Sequence, residues 1–291
     1  MRGMLFRAVA LYLCVLGTAH ADPGLNWLSA QANTDGSIAR SSDIATPFQA
    51  TAESLRTLAL YGVTSGASIT AAQQYLASQT YHNTENLSRL IIAGVTAGQD
   101  VSALVTELLT HQDTITGGFV ESQGYQPTVL DTDFALEALA LAGNPGSAVA
   151  GPALGFLQQQ QNADGSWQDG DNNPSVYLTA LAVNALRYYS SSYNVAQTLQ
   201  NGTSFLFSAR QSDGLWGEDA LSAESLIALT QSLVDFTPAK ASVQTLQTHQ
   251  LTDGSWGDDV FTTALVLRTL ALAQARGTTP PAGNGAVQGY V

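Results

Sequence analysis

An all-α repeat fold, with six inner helices ringed by six outer ones, is what this sequence predicts, and two recurring patterns carry the prediction. The first is a phrase that opens six helix-like segments. It reads TAESLRTLALYG from Thr51, NTENLSRLIIAG from Asn83, TDFALEALALAG from Thr132, TALAVNALRYY from Thr179, SAESLIALTQSL from Ser222 and TALVLRTLALA from Thr263. The starts lie 32, 49, 47, 43 and 41 residues apart, too short for separate domains and suited to a two-helix unit. The second is a turn signature between copies: Gln161-Asn-Ala-Asp164-Gly165-Ser-Trp167, Gln250-Leu-Thr-Asp253-Gly254-Ser-Trp256-Gly257 and, less completely, Arg210-Gln-Ser-Asp213-Gly214-Leu-Trp216-Gly217. Weaker versions sit at Asn33-Thr-Asp35-Gly36-Ser37 and Thr116-Gly117-Gly118-Phe119. Here a helix stops where Gly takes a left-handed conformation, and an aromatic then folds back over the exposed helix end. The turn residues Gln161, Asp164, Gly165, Trp167, Asp213, Gly214, Trp216, Gln250, Asp253, Gly254 and Trp256 are therefore read as structural.

In chain order, an outer helix is expected over 25–32 and an inner one over 48–61, joined across the weak turn at Asn33. Outer 68–79 precedes inner 84–97, and outer 101–112 precedes inner 129–142 across Gly117. The pairs 147–161 with 175–190, 194–209 with 220–235, and 238–250 with 260–275 each flank one of the stronger turns. Inner segments are apolar on most faces and rich in Ala, as in Thr179-Ala-Leu-Ala-Val-Asn-Ala-Leu186, which suits helices packed on several sides. Outer segments carry Gln-rich faces, as in Phe156-Leu-Gln-Gln-Gln-Gln161 and Val243-Gln-Thr-Leu-Gln-Thr-His249. Closing the six pairs into a barrel would remove the ends that an open solenoid, the other arrangement, must cap.

Composition narrows the function classes. Residues 1–21 carry Arg2 and Arg7, an apolar run from Ala8 to Gly17, and Ala19-His20-Ala21 before Asp22, the layout of a secretory signal peptide too short to span a bilayer. The expectation is an exported, periplasmic or extracellular chain starting at Asp22, with a helical domain over 22–276. A lipoprotein anchor would use Cys14, but Leu11-Tyr12-Leu13 lacks the small residues that such a site wants. Cys14 is the only cysteine, so the remaining chain offers no disulfide, thiolate nucleophile or cysteine metal ligand. The net charge of −13 becomes about −15 without the leader and disfavours nucleic acid and anionic membrane surfaces. No later stretch is apolar enough to span a membrane. The chain is expected to be monomeric, with no cofactor, no metal site, and an unidentified small molecule or protein as partner. Residues 277–291 read as a Pro/Gly-rich linker, and Ala286-Val-Gln-Gly-Tyr-Val291 resembles the opening strand of a carboxypeptidase-regulatory-like β-sandwich module; a short tail is the alternative.

The Gln-x-x-x-Gly-x-Trp phrases at Gln161 and Gln250, with degenerate copies at Arg210, Asp113 and Ala32, resemble the QW-repeat proteins of the squalene-hopene cyclase and protein prenyltransferase superfamily. The resemblance covers nearly all of 25–276 and implies an α/α toroid of the terpenoid cyclase/prenyltransferase type. The same barrel serves class II terpene cyclases, prenyltransferase β-subunits, complement-type thioester domains and cobalamin carriers. Prenyltransferase zinc sites and thioesters use a Cys that the chain lacks after Ala21. Class II cyclases protonate their substrate with the middle acid of an Asp-x-Asp-Asp motif at the start of an inner helix. Asp131-Thr132-Asp133-Phe134 is similar to it in place, and departs at Phe134. Such cyclases also bury their site between two barrels, whereas this chain has residues for one. The first reading is accordingly a ligand-binding or scaffold domain; the alternative is a class II terpene cyclase-like enzyme with Asp133 as general acid.

The acidic residues have plainer readings as well. Thr128-Val-Leu-Asp131 resembles a capping box, which makes Asp131 a first-turn carboxylate facing the helix dipole. The repeat column of Asp133 otherwise holds Ala52, Thr84, Ala180, Ala223 and Ala264, so a carboxylate there must reach a cavity or lie buried with a partner. Glu53, Glu85 and Glu224 form a second column, read either as dipole compensation on a solvated rim or as a cavity mouth. With Tyr125 and Tyr177, that mouth could take a small polar or cationic ligand. His111 and His249 end outer helices, where a partly cationic ring suits the dipole, and His82 stands alone.

Overall fold

The structure, a computed structural model, describes residues 22–80, 82–143 and 146–277; the expected leader over 1–21 and the tail from 278 lie outside them. Helices alternate between an outer and an inner layer along the chain. The pairs are α1 (Pro23–Ser29) with α2 (Pro47–Leu60), α3 (Ala67–Ala77) with α4 (Thr84–Thr96), α5 (Ser102–Leu109) with α6 (Val129–Leu141), α7 (Ser147–Gln160) with α8 (Val176–Leu186), α9 (Ala196–Ser208) with α10 (Asp219–Ser232), and α11 (Thr237–Thr248) with α12 (Val260–Ala275). Odd-numbered helices are outer and even-numbered ones inner. The inner helices pack in cyclic order: α2 on α4, α4 on α6, α6 on α8, α8 on α10, α10 on α12, and α12 again on α2. Two hairpins of two-residue strands, β1 (Phe119–Val120) with β2 (Pro127–Thr128) and β3 (Trp167–Gln168) with β4 (Pro174–Ser175), precede α6 and α8. They are an addition to the all-helical expectation, arising where the aromatic of a turn pairs with the chain about to enter an inner helix.

One hydroxyl per repeat fixes turn to inner helix. Thr51 accepts the backbone N–H of Ile38 at 2.9 Å, Thr132 that of Phe119 at 2.9 Å, and Thr179 that of Trp167 at 3.1 Å. Ser222 accepts from Trp216 at 3.1 Å and Thr263 from Trp256 at 3.0 Å. These five residues, each of which heads a repeated phrase, thus satisfy a buried donor inside their joints. The second copy departs: Asn83 caps α4 by accepting from the backbone of Asn86, and Thr84 donates to the Val120 carbonyl instead.

The tryptophans close the outer helices. Indole N–H groups of Trp167, Trp216 and Trp256 donate to the carbonyls of Leu157, Leu206 and Leu246, satisfying helix-end acceptors while each ring is buried. Asp164 and Asp253 each accept the backbone N–H and hydroxyl of the Ser two residues on. Asp213 accepts from the Leu215 backbone, and Gln161 and Gln250 donate across the turn to the carbonyls of Gly165 and Gly254. Each turn also lies against a neighbouring outer helix. At Gly254, with φ +100, a Cβ would sit 2.4 Å from the Pro23 carbonyl oxygen, so the last turn abuts the first helix. Thr57 donates to the Ala264 carbonyl and Tyr61 to that of Leu267, joining α2 to α12.

Candidate functional site

A cavity of about 300 Å³ lies inside the inner ring toward the N-terminal ends of its helices. Helical spacing sets its tiers. Ile44, Tyr177, Glu218, Ala220, Leu221 and Phe261 stand nearest the rim; Glu53, Arg89, Phe134, Leu181, Glu224 and Leu265 follow a turn deeper; Arg56, Glu137 and Arg268 lie deepest. Apolar and aromatic walls thus enclose a belt of charge.

Every arginine of the belt faces carboxylates. Arg56 Nη2 lies 2.5 Å from Glu137 Oε1, which also accepts from Asn184 at 2.9 Å, and Arg187 in turn donates to Asn184. Arg89 Nε lies 2.8 Å from Glu85, and its guanidinium sits over Phe134 at 4.8 Å. Arg268 faces two carboxylates, with Nε 3.1 Å from Glu53 Oε1 and Nη2 3.5 Å from Glu224 Oε2. The first contact is an ion pair in distance only, since neither atom has a hydrogen-bond geometry there. Burial works against the charge of Glu137, but the pairing with Arg56 outweighs it and holds the carboxyl down at about 2. Burial pushes Glu224 above the ordinary carboxylate range.

Asp133 is different. It is 2% exposed, and neither of its oxygens has a hydrogen-bond partner. Burial first, and the charge of Glu137 one turn on, push its carboxyl well above the usual value. Its neighbour Phe134 is in the cavity wall, as is Glu137, while Asp133 itself is not. It stands behind that wall, a correction to its expected place in the lining. The small residues of its column explain why: that face of an inner helix packs on its neighbours, and Ala52, Ala180, Ala223 and Ala264 are all buried.

The remaining sequence-based candidates separate. Asp131 takes the capping role, its carboxylate accepting from the Thr128 hydroxyl at 2.6 Å and its backbone N–H donating back at 3.0 Å. Glu53 and Glu224 are in the wall but lie in the second turn of their helices, buried against Arg268, so a solvated rim opposing the dipole does not describe them. Glu85 is in the first turn, is held by Arg89 and by Gln49 at 2.7 Å, and does not line the cavity. Tyr125 is 63% exposed and away from the cavity; Tyr177 lines it and is itself 40% exposed. His111 is buried against Thr84 and pushed toward the neutral form by burial, contrary to a cationic dipole partner, and His82 meets Glu107 at 3.0 Å rather than standing alone. Among the described residues no group of three or more His, Cys, Asp or Glu is placed to hold a metal, and no helix is long and apolar enough to cross a membrane.

Residues 125–233 match the family model of the squalene-hopene cyclase C-terminal domain. Lanosterol synthase of Saccharomyces cerevisiae is 33% identical over 84 residues, 28% of this chain and 12% of the yeast protein. Lanosterol synthase of Candida albicans is 29% identical over 119 residues, 35% of this chain and 16% of that protein. The matched segments thus span a small fraction of those relatives. Among solved structures, the type II terpene cyclase MstE from Scytonema has a TM-score of 0.66 at 16% identity, covering 87% of this chain and 97% of that one. The ent-copalyl diphosphate synthase from Streptomyces platensis has a TM-score of 0.63 at 18% identity, with 78% of this chain covering 50% of that one. These likenesses establish the fold. In its segment 125–233 the chain is similar to the squalene-hopene cyclase C-terminal domain, and in its fold it is similar to a type II terpene cyclase.

Proposed function

We propose that the chain is a class II terpene cyclase-like isomerase in which Asp133 is the general acid. The observation that carries this reading is a buried carboxyl, pushed up by burial and without a hydrogen-bond partner, directly behind the wall of a cavity in a cyclase-type toroid. The Asp133 O–H would transfer its proton to one carbon of an alkene, leaving a carbocation on the other. A second double bond then attacks to close a ring, and loss of a proton, which in net returns to the Asp133 carboxylate, restores a neutral isomer and the acid. Because Asp133 is not itself in the wall, delivery requires its side chain to turn past Phe134.

The cavity limits the substrate. Its roughly 300 Å³ equals about ten water volumes at ~30 Å³ each, which suits a body of about ten to fifteen non-hydrogen atoms. That is smaller than the geranylgeranyl dihydroxybenzoate described as substrate in a complex with a variant of MstE. The charge in the wall, with Arg56, Arg89 and Arg268 against Glu53, Glu137, Glu218 and Glu224, disfavours a diphosphate head and favours a neutral isoprenoid alkene.

Incubation with neutral monoterpene and sesquiterpene alkenes and alcohols, followed by gas chromatography, is expected to yield a cyclic isomer that Asp133→Asn abolishes with unchanged circular dichroism. Absence of product from squalene, prenyl diphosphates and these shorter compounds alike would return the chain to the non-catalytic binding reading. One observation favours that second reading: Phe134 stands where a further carboxylate of the cyclase motif is expected. Export through residues 1–21 also remains part of the proposal, and N-terminal sequencing of protein from its own host tests it by a start at Asp22.

A further inference from the structure

The cavity mouth holds a pair of acids that the proposed chemistry does not use. Ile44, 65% exposed in the cavity wall, belongs to the segment 40–46 that leads into α2, and two aspartates tie this segment to the start of α12. Asp43, on the segment, accepts the backbone N–H of Val260 at 2.9 Å and that of Arg40 at 2.7 Å. Asp259, before α12, accepts the N–H of Ile44 at 2.7 Å and that of Thr262 at 2.6 Å. All four carboxylate oxygens are thus engaged by main chain, and each acid holds the stretch of chain that carries the other. The two carboxyl groups also lie within hydrogen-bond reach of one another. Asp259 is 5% exposed and Asp43 half-buried, so two ionised carboxylates side by side here repel each other with little screening. The turn that delivers Asp259 is strained as well, since Asp258 has φ +54, in the left-handed region that favours glycine.

We infer that Asp43 and Asp259 form a proton-operated latch, which pins segment 40–46 and its Ile44 at the cavity mouth in acid and frees them as pH rises. A proton on the pair turns repulsion into an O–H···O bond between the two acids and leaves the four main-chain bonds in place. The charged groups around Asp43 are Arg40 of its own segment and Asp258 and Asp259 before α12, and Arg40 is taken up by the exposed Asp258. Burial first, and the charge of Asp259 in addition, set the Asp43 carboxyl above its ordinary value, against the pull of the Val260 and Arg40 N–H groups. With the folded value above the unfolded one, the latch contributes fully below about pH 4 and is lost as pH rises through the raised value. The ring does not open with it. Thr57, Tyr61 and the packing at Gly24 join the same two repeats without a carboxylate. As regulation of catalysis the latch rests on the acid-initiated reading; as a moving part it rests on the geometry alone.

Amide hydrogen exchange of the unaltered protein between pH 4 and pH 7, corrected for the intrinsic pH dependence of exchange, tests this at the Ile44 and Val260 N–H groups that the latch holds. Their protection should fall by about three- to tenfold across that range, while amides in the middle of α2 and α12 keep theirs. Asp43→Asn keeps an acceptor for Val260 and offers Asp259 an N–H donor, so it should hold the acid level of protection at every pH. Protection that does not change with pH, or an equal fall in the folded Asp43→Asn protein, would overturn the latch. If that variant does not fold, the pH series on the unaltered protein still decides. Failure of the two readings is separable, because exchange needs no substrate. No cyclic product with the pH-dependent release intact removes the cyclase and keeps the latch, whereas product from a chain whose mouth segment ignores pH does the reverse.

Discussion

Burial raises the carboxyl of Asp133 and nothing in its surroundings offers the ionised form a donor, so ionisation and folding oppose one another. Its folded pKa lies above the unfolded one, so the stability it permits is complete below the unfolded pKa and is lost as pH rises through the folded value. Asp133→Asn removes that loss. The two proteins should melt together at acid pH, and the variant should become the more stable as pH rises, by about 1–3 kcal/mol once the wild-type carboxylate is forced to ionise. A variant less stable at every pH would show instead that Asp133 is ionised and paired. Glu137 has the opposite sign: it is depressed from 4.5 to about 2 by Arg56, so its contribution is present above pH 4.5 and fades as pH falls toward 2. Removing Arg56 alone, as Arg56→Met, should cost about 3–5 kcal/mol by stranding Glu137, and Arg56→Met with Glu137→Leu should recover most of it. The sequence showed Glu53, Glu224 and Asp133 but missed Glu137 and the arginines. Asp133 was legible as a carboxylate in a column of small residues. Arg56, Arg89 and Arg268 were not, since a lone Arg on an amphipathic helix reads as a solvated face until the ring turns it inward.

At the scale of elements, the helix pairs were legible because turn and helix repeat together. The Gly-x-Trp turns mark where outer helices end, and the small hydroxyl residues that head most inner phrases proved to be the joints between the two. In the second repeat the two roles fall on neighbouring residues: Asn83 caps α4, while Thr84 makes the buried contacts. The small hairpins β1–β2 and β3–β4 were not legible, because a two-residue strand carries no periodicity. The turn itself can be dissected at the last repeat. Trp256→Ala removes a fully buried ring and the bond to Leu246, and should cost roughly 3–5 kcal/mol by thermal or urea unfolding. Gly254 and Gly257 both have positive φ, at +100 and +65, but only Gly254 is crowded; a Cβ at Gly257 meets nothing within 4 Å. Gly254→Ala should therefore destabilise clearly more than Gly257→Ala, the difference reporting the close approach of Pro23 rather than backbone strain. Equal effects of the two would mean that the first and last repeats do not touch there.

For the whole molecule, the same joint decides whether six pairs make a ring or a strip. The contacts that bring the last repeat back to the first are of two kinds. Trp256 and Leu267 packed at Gly24, the Thr57 and Tyr61 bonds to α12, and the Glu53–Arg268 pair are largely removed from water. The Arg40–Asp258 pair, by contrast, is exposed on both sides and contributes little. Buried contacts are weakly screened by salt, while an excess of acidic over basic residues pushes an open chain of repeats apart at low ionic strength. A ring held by the first kind should thus scatter X-rays as a particle with a radius of gyration near the ~18 Å expected of a single domain of this length. That radius should be the same in dilute buffer and in molar salt. An elongated profile, or one that contracts as salt is added, would show that the repeats form an open solenoid and that the cavity lacks one of its walls.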